Sequence, residues 1–233
     1  MGNKASAAMV PAQVVLAGGA ALTADIQSNC DKVLAQFDPP IIVGTYSSVS
    51  SDRQAANQAD PNSPYRNGQS EHGVANSAFQ GERGVNATNV PGAPGYSEGG
   101  AFAFSVYDGQ SAGTEHKWLT DAAKDFHEGL EAQGKQGTLK DHLDQSQKNW
   151  EKSLDENLQR GKGENPRSRI KDAEKKSKKE RQDLAKAAAK CLRMMAEAAF
   201  KKQKISLSTK LRNGLANAVK QATKATRKTG GTF

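Results

Sequence analysis

Residues 101–116, AFAFSVYDGQSAGTEH, decide the fold of the central part of this chain. Residues 101–107 are almost all apolar or aromatic, which predicts a buried strand that the following Asp-Gly pair ends. Thr114 is a residue type that caps helices, and apolar residues recur at helical spacing from there to Leu130. The stretch therefore predicts a strand followed by a helix whose first turn carries His116.

Upstream of this unit, the sequence predicts short elements separated by turns. Residues 12–37 predict one or two helices, of which the second covers 24–37 and ends at a diproline. Residues 41–46 are β-branched and aromatic, so they predict a short strand. Residues 47–68 are polar with two proline turns and predict a long loop, and residues 81–100 hold too much Gly, Pro and Asn for regular structure.

More helices are predicted downstream. Leucines and Trp150 recur at four- and seven-residue intervals over residues 139–158, which predicts a second amphipathic helix. The glycines of 161–166 then break the chain. Residues 167–202 are helix formers with an apolar face among lysines, and residues 205–228 predict another basic helix. The predicted fold class is α+β, mainly helical, with basic C-terminal helices.

The charge of the chain is divided unevenly along its length. Residues 1–166 carry 13 Lys and Arg against 20 Asp and Glu, a net charge of −7. Residues 167–233 carry 20 against 5, a net charge of +15. A strongly basic segment attached to an acidic body predicts a polyanionic partner, with nucleic acid the first choice and an anionic membrane the second.

These changes of composition predict three segments. Residues 1–60 form an N-terminal helical or trafficking segment, 61–160 the core, and 167–233 a basic helical tail. Residues 7–24 are apolar but interrupted by a proline, so we interpret them neither as a signal peptide nor as a membrane span. Residues 1–6 match the N-myristoylation pattern, which we interpret as a chance match. An integral membrane protein is not expected.

The two cysteines, and the absence of a P-loop and of a nucleophile elbow from the sequence, limit the kinds of reaction that the chain could catalyse. Cys30 and Cys191 have no CxxC spacing, and we predict two small buried hydrophobic residues rather than a disulfide. A bound metal would therefore use His, Asn or carboxylate groups. A nucleophilic cysteine enzyme fits less well, because Cys30 has no histidine near it in the sequence. The chain has neither a P-loop nor a nucleophile elbow, and no small-molecule cofactor is expected.

Two histidine motifs bracket the predicted strand, SEH at residues 70–72 and GTEH at residues 113–116. A phosphodiester is cleaved near neutral pH when a neutral imidazole takes a proton from water and a divalent cation neutralises charge on the phosphate. His72 ends a short extended segment and His116 opens a helix. The motifs therefore follow the order strand, loop, strand, helix, and this region contains the residue types that such a site needs.

This order resembles the ββα-metal finger of HNH and endonuclease VII-like nucleases, and in particular bacterial polymorphic-toxin nuclease domains. The matching motifs are SEH at residues 70–72, GYSEG at 95–99 and GTEH at 113–116. The similarity covers residues 70–131, about a quarter of the chain. It implies a small ββα-metal finger flanked by amphipathic helices, with residues 61–160 as the nuclease core.

The resemblance implies that His72 is the general base that activates water, and that Glu71 and His116 are metal ligands. Such donors suit Mg²⁺ or Mn²⁺, with Zn²⁺ as the second choice. Glu71 and His72 share one site only if the strand bends, which Gly73 would permit. The chain departs from the pattern in two ways, because many relatives have His-His where it has Glu71-His72, and because Thr120 stands where a second helix histidine would lie.

The ligand set of these motifs is therefore incomplete. Four residues remain open as further ligands: Asn76, Asn86, Asn89 and Asp121. His127 follows His116 by three helical turns, which puts it on the same face but about 16 Å away, too far to share an ion. We predict that His142 lies on a solvated helix face.

The resemblance and the charge favour a metal-dependent nonspecific nuclease that acts as a secreted antibacterial or host-directed toxin. It would be produced in the bacterial cytoplasm, secreted or delivered into a target cell, and held inactive by an acidic immunity protein. The expected substrate is nucleic acid, DNA rather than RNA, with phosphate contacts from Arg83, Lys117, Lys175, Lys176, Lys178 and Lys179. The alternative is a non-catalytic nucleic-acid-binding or virion-type structural protein that uses the basic C-terminal helices.

Overall fold

The strand predicted over 101–107 is the middle strand of a three-stranded antiparallel sheet, in which β3 (Phe102–Tyr107) lies between β1 (Val43–Thr45) and β2 (Gly68–His72). The structure is a computed structural model that describes residues 23–81, 88–107 and 112–213. A short antiparallel pair, β4 and β5, forms a second sheet. The strands are β1 (Val43–Thr45), β2 (Gly68–His72), β3 (Phe102–Tyr107), β4 (Asn157–Leu158) and β5 (Arg167–Ser168).

Helices surround the sheet, so the architecture is α+β, as predicted. They are α1 (Ala24–Leu34), α2 (Tyr46–Ala59), α3 (Asn76–Phe79), α4 (Glu115–Ala132), α5 (Leu139–Asp155) and α6 (Lys178–Lys202), with a 3-10 helix at Ala173–Lys175. The helices α1, α4 and α5 confirm the predictions made from apolar spacing. Thr114 is the N-cap residue of α4, as predicted.

The loop predicted over residues 47–68 is wrong, because α2 occupies its first part. The hydroxyl of Thr45 accepts a hydrogen bond from the Ser48 amide at 3.2 Å, and Ser48 Oγ accepts one from the Thr45 amide at 3.0 Å. Val49 and Ala56 lie on one face of the helix and are buried. A face of two apolar residues is hard to detect in a sequence rich in serine, asparagine and glutamine. The capping box and the burial of these two residues stabilise the helix.

The basic helix α6 begins at Lys178, later than predicted. The start is set by a capping box, in which Ser177 Oγ accepts from the Glu180 amide at 3.2 Å and Glu180 Oε2 accepts from the Ser177 amide at 2.7 Å. Before this cap, residues 167–168 pair with β4, and Asp172 has the left-handed backbone conformation. A helix cannot continue through a residue in the left-handed conformation. The helix predicted from residue 167 is therefore longer than α6, although the residues before Lys178 are of helix-forming types.

The segment after α6 lies against the start of α5. The Leu139 amide donates to the Thr209 carbonyl at 2.8 Å, and residues 205–213 contain no helix. The helix predicted over 205–228 is therefore wrong for its first nine residues, and its remainder lies outside the described residues. The myristoylation pattern of residues 1–6 lies outside the described residues as well, and so does the apolar stretch 7–24 except for its last two residues, which are the N-cap and the first residue of α1.

One hydrophobic core joins the sheet to the helices. The rings of Phe104 on β3 and Trp150 on α5 meet edge to face, with 5.6 Å between centroids. Phe200 of α6 stacks on Phe79 of α3 at 5.3 Å. Leu34 of α1 belongs to the same cluster. The core of the described residues therefore takes side chains from all three of the predicted segments.

Cys30 and Cys191 form a disulfide, so the prediction of two separate buried thiols is wrong. Their Cα atoms are 5.4 Å apart, although 161 positions separate them in the sequence. Only the packing of α1 against α6 brings them together, and spacing in the sequence carries no sign of it. The bridge ties the first described helix to the last one.

The histidines of α4 and α5 form a buried pair. His127 is 2% exposed and His142 is 3% exposed, and their rings meet edge to face with 4.9 Å between centroids. His142 is therefore not on a solvated face as predicted, because the segment after α6 covers the start of α5. Burial lowers the pKa of His127 to about 4. Burial and the neighbouring His127 lower the pKa of His142 to about 3, against a smaller opposing effect of Asp141.

Reduction of the Cys30–Cys191 bridge should lower the free energy of unfolding by about 2–5 kcal/mol, because the bridge limits the freedom of the unfolded chain. Urea unfolding followed by circular dichroism, with and without dithiothreitol, measures the change. A variant with both Cys30→Ser and Cys191→Ser should unfold like the reduced wild type and should not respond to the reductant. An unchanged urea midpoint on reduction would contradict the bridge.

The histidine pair should make the fold sensitive to acid. The unfolded chain takes up protons near pH 6.5, whereas the folded histidines resist protonation until about pH 4 and pH 3. Stability is therefore complete above pH 6.5 and falls as the pH drops through this window, by up to about 1.4 kcal/mol per pH unit for each histidine.

The slope of unfolding free energy against pH measures this effect. His142→Leu removes one titrating group and should make the slope shallower. Glu128→Gln, which changes a carboxylate on the exposed side of α4, should leave the slope as it is. An identical slope in His142→Leu and the wild type would contradict the assignment.

Candidate metal-binding and catalytic site

The sheet and α4 bring Glu71 and His116 together. β2 pairs with β3 so that Glu71 lies opposite Phe104. Thr114 is fully buried at the N-cap position of α4, which places His116 in the first turn of the helix. Glu71 Oε2 lies 3.2 Å from His116 Nε2. The structure therefore joins the two residues predicted as metal ligands, although 45 positions separate them in the chain.

The surroundings of this pair disfavour a charged carboxylate. The side chains of Glu71 and His116 are 16% and 14% exposed. Burial, and to a smaller extent the negative charge of Glu115, raises the pKa of Glu71 to about 8. A carboxyl in such surroundings loses its proton more readily when a cation is beside it. Carboxylate oxygen and imidazole nitrogen are donors for Mg²⁺, Mn²⁺ and Zn²⁺, so the pair fits part of a metal site.

His72 leaves the strand on the opposite face from Glu71. The pairing of β2 with β3 runs without a bulge through His72, and neighbouring side chains of a regular strand point to opposite faces. The strand therefore does not bend at Gly73 as the shared site would require. A Cβ at Gly73 would come within 2.6 Å of the Phe102 ring, so this glycine allows close packing instead.

The imidazole of His72 stacks on the ring of Tyr46, the first residue of α2. The two centroids are 4.1 Å apart and the ring planes differ by 9°. The sequence does not indicate that Tyr46 contacts His72, since its composition predicts Tyr46 as the last residue of a strand. The structure thus places the predicted general base between β2 and α2, and the predicted ligands between β2 and α4.

The residues left open as further ligands are bonded elsewhere or lie outside the described residues. Asn76 Oδ1 accepts from the Tyr96 hydroxyl at 2.9 Å, and Asn89 bonds to the side chain of Gln80 and to two carbonyls. Asp121 pairs with Lys117. Asn86 is not among the described residues. Within the described ranges, no group of three or more His, Cys, Asp and Glu side chains is arranged to hold a metal ion.

A buried ion pair seats the first turn of α4. Arg169 Nη1 lies 3.0 and 2.9 Å from the two carboxylate oxygens of Glu115, and the residues are 5% and 3% exposed. Glu115 Oε2 also accepts a hydrogen bond from the Tyr107 amide at 2.9 Å. The pair thereby fixes the residue next to His116 against the end of β3. The sequence carries no sign of this ion pair, because Arg169 lies 54 positions from Glu115, within the segment predicted as the basic tail.

The lysines predicted to contact phosphate lie mostly on the surface. Lys175, Lys178 and Lys179 are exposed, and Lys176 is half-buried and donates to a backbone carbonyl. Lys175 pairs with Asp172, Lys179 with Asp183 and Lys117 with Asp121. Arg83 lies outside the described residues. In the part of the chain that the structure describes, no helix is both long and apolar enough to cross a membrane.

Comparison of the chain with protein-family models, with curated proteins and with solved structures finds no match. The geometry of the residues is therefore the basis for any statement about function.

Arg169→Ala should lower the free energy of unfolding by about 3–5 kcal/mol, because it leaves the buried carboxylate of Glu115 without its counter-charge. Lys179→Ala is the matched control. It removes a cation from an exposed ion pair on α6 and should change stability by no more than about 0.5 kcal/mol. Urea unfolding of both variants measures the difference, and equal losses would show that the buried pair does not hold α4 in place.

Proposed function

We propose that this protein is a metal-dependent nonspecific nuclease that acts as a secreted antibacterial or host-directed toxin. The observation that carries the proposal is the contact between Glu71 and His116, with His72 as the next residue on the same strand. A carboxylate and an imidazole in contact, and a second imidazole on the neighbouring residue of the strand, are the kinds of group that metal-assisted phosphodiester hydrolysis uses.

Each residue has one role in this reaction. Glu71 and His116 would hold a divalent cation, Mg²⁺ or Mn²⁺ before Zn²⁺, which when bound supplies positive charge beside the scissile phosphate. His72 accepts the proton of a water molecule as the water oxygen bonds to phosphorus and the bond from phosphorus to the leaving oxygen breaks. The raised pKa of Glu71 means that binding of the cation displaces a proton, so metal affinity should rise as the pH approaches 8.

Glu71 and His72 leave β2 on opposite faces, so β2 lies between the proposed ligands and the proposed base. A substrate would have to reach both groups at the end of the strand, where β2 stops at His72. The activity of the His72→Ala variant is therefore the decisive test of the proposal.

The exposed lysines support binding without sequence selectivity. Lys179, Lys186 and Lys190 are exposed at spacings of seven and four residues, which places them on one face of α6. Lysines without interleaved aromatic residues contact phosphates and do not read bases. The net charge of +15 over residues 167–233 also suits an acidic immunity protein, and a disulfide is typical of proteins that pass through an oxidising compartment.

A second candidate function is a non-catalytic nucleic-acid-binding or virion-type structural protein. The observation that favours it is the short ligand set, since the described residues bring only one carboxylate and one imidazole together. In that case the lysines of α6 would bind nucleic acid, and the pair of Glu71 and His116 would only join β2 to α4.

Conversion of supercoiled plasmid to nicked circles, with Mg²⁺, Mn²⁺ or Zn²⁺ and with EDTA, tests the proposal. The wild type should nick DNA only with a cation. His72→Ala should lower the rate by about 100-fold or more, because it removes a general base. His116→Ala and Glu71→Gln should weaken activation by the cation. Glu128→Gln, an exposed carboxylate change on α4, is the control and should keep full activity.

Equal nicking by the wild type and His72→Ala would remove His72 from the reaction. Retained binding of nucleic acid in a gel-shift assay, with no cleavage in any cation, would exclude the nuclease and favour the structural protein. Cleavage of single-stranded RNA with the same cations, compared with nicking of the plasmid, shows which nucleic acid is the better substrate.

A further inference from the structure

We infer that Tyr46 is a positioning residue for His72, an inference that rests on the proposed function. The phenol ring lies parallel to the imidazole, with 4.1 Å between centroids and 9° between planes. Stacked rings in contact restrict rotation of the imidazole about its Cβ–Cγ bond. The ring nitrogens of His72 are thereby held in one plane at the end of β2.

Tyr46 is itself fixed against the sheet by backbone hydrogen bonds. Its amide donates to the Ala101 carbonyl at 2.8 Å, and the Ser47 amide donates to the Gly99 carbonyl at 3.1 Å. Thr45, one residue earlier, pairs with Phe102 as part of β1. The backbone at the start of α2 is therefore fixed against the segment that leads into β3.

A second set of contacts ties α2 to β2. Ser70 and His72 are two positions apart on β2 and lie on the same face, and Ser70 Oγ is 2.9 Å from Ser50 Oγ of α2. The guanidinium of Arg53 donates to the Gly68 carbonyl at the other end of the strand. Two side chains on one face of β2, Ser70 and His72, and the backbone carbonyl of Gly68 thus contact α2 along the length of the strand.

These contacts have a consequence for the rate of hydrolysis. A general base works only when its nitrogen is aimed at the water proton, and a displacement of about 1 Å can lower a rate about 100-fold. The stack uses the face of the phenol and not its hydroxyl, so a phenylalanine ring should serve equally well. A branched aliphatic side chain fills similar space but provides no flat surface.

Steady-state nicking kinetics of the full chain with Mn²⁺ test the inference. Tyr46→Phe should keep the kcat of the wild type. Tyr46→Leu should lower kcat about 10- to 100-fold with KM unchanged, because substrate binding by the lysines is not affected. Ser51→Ala is the matched control, since the Ser51 hydroxyl is exposed and donates only to the Ser47 carbonyl within α2, away from the ring stack, and it should keep kcat.

The NMR signals of the His72 ring provide a readout that does not depend on activity. They are assigned by their loss in His72→Ala, and the ring current of the stacked phenol should shift them. Tyr46→Phe should leave them near their wild-type positions, and Tyr46→Leu should move them.

The outcomes separate the two levels of the proposal. If the wild type is active and kcat falls equally in Tyr46→Leu and Ser51→Ala, the role of Tyr46 is overturned and the nuclease stays in place. Equal loss of kcat in Tyr46→Phe and Tyr46→Leu has the same meaning. A wild type that cleaves nothing with any cation, while the NMR shifts still report the stack, overturns the nuclease and with it the positioning role.

Discussion

The buried ion pair between Glu115 and Arg169 is the interaction on which the candidate site depends. A carboxylate that is 3% exposed is expensive to bury unless a cation and hydrogen-bond donors surround it, and here the guanidinium and the Tyr107 amide do so. Three parts of the chain meet at this carboxylate: the end of β3, the start of α4 and the segment before α6. His116 follows Glu115 directly, so its position against β2 is set by the same pair.

Two carboxylates near this point have different electrostatic surroundings. Glu115 faces a guanidinium, whereas Glu71 faces an imidazole. The charge of Glu115 also helps to raise the pKa of Glu71. Glu71 is therefore the carboxylate that gains more from an added cation, which supports its proposed role as a ligand. Because Glu115 is already paired with Arg169, we interpret it as a structural residue, although it is the direct neighbour of His116.

Sequence patterns predicted the elements that have strong periodicity or composition. The six buried residues of β3 and the apolar stripes of α4 and α5 are visible in the chain itself. The apolar pattern of the sequence did not predict α2, because this helix depends on a capping box and on two buried side chains within a polar segment. Among the site residues, sequence motifs identified Glu71 and His116, which do meet. They did not identify the stack of Tyr46 on His72, because an aromatic residue after a strand has no distinguishing mark.

The amino-acid sequence by itself determined the α+β class, the middle strand, the long helices and the division of charge, because these follow from residues close together in the chain. The tertiary structure alone decided which distant residues meet: Cys30 with Cys191, Glu115 with Arg169, and His127 with His142. It also decided that Glu71 and His72 face opposite sides, since an unbroken ladder with β3 keeps the strand regular. Such contacts depend on how elements pack, and packing is set by the whole core at once rather than by local sequence.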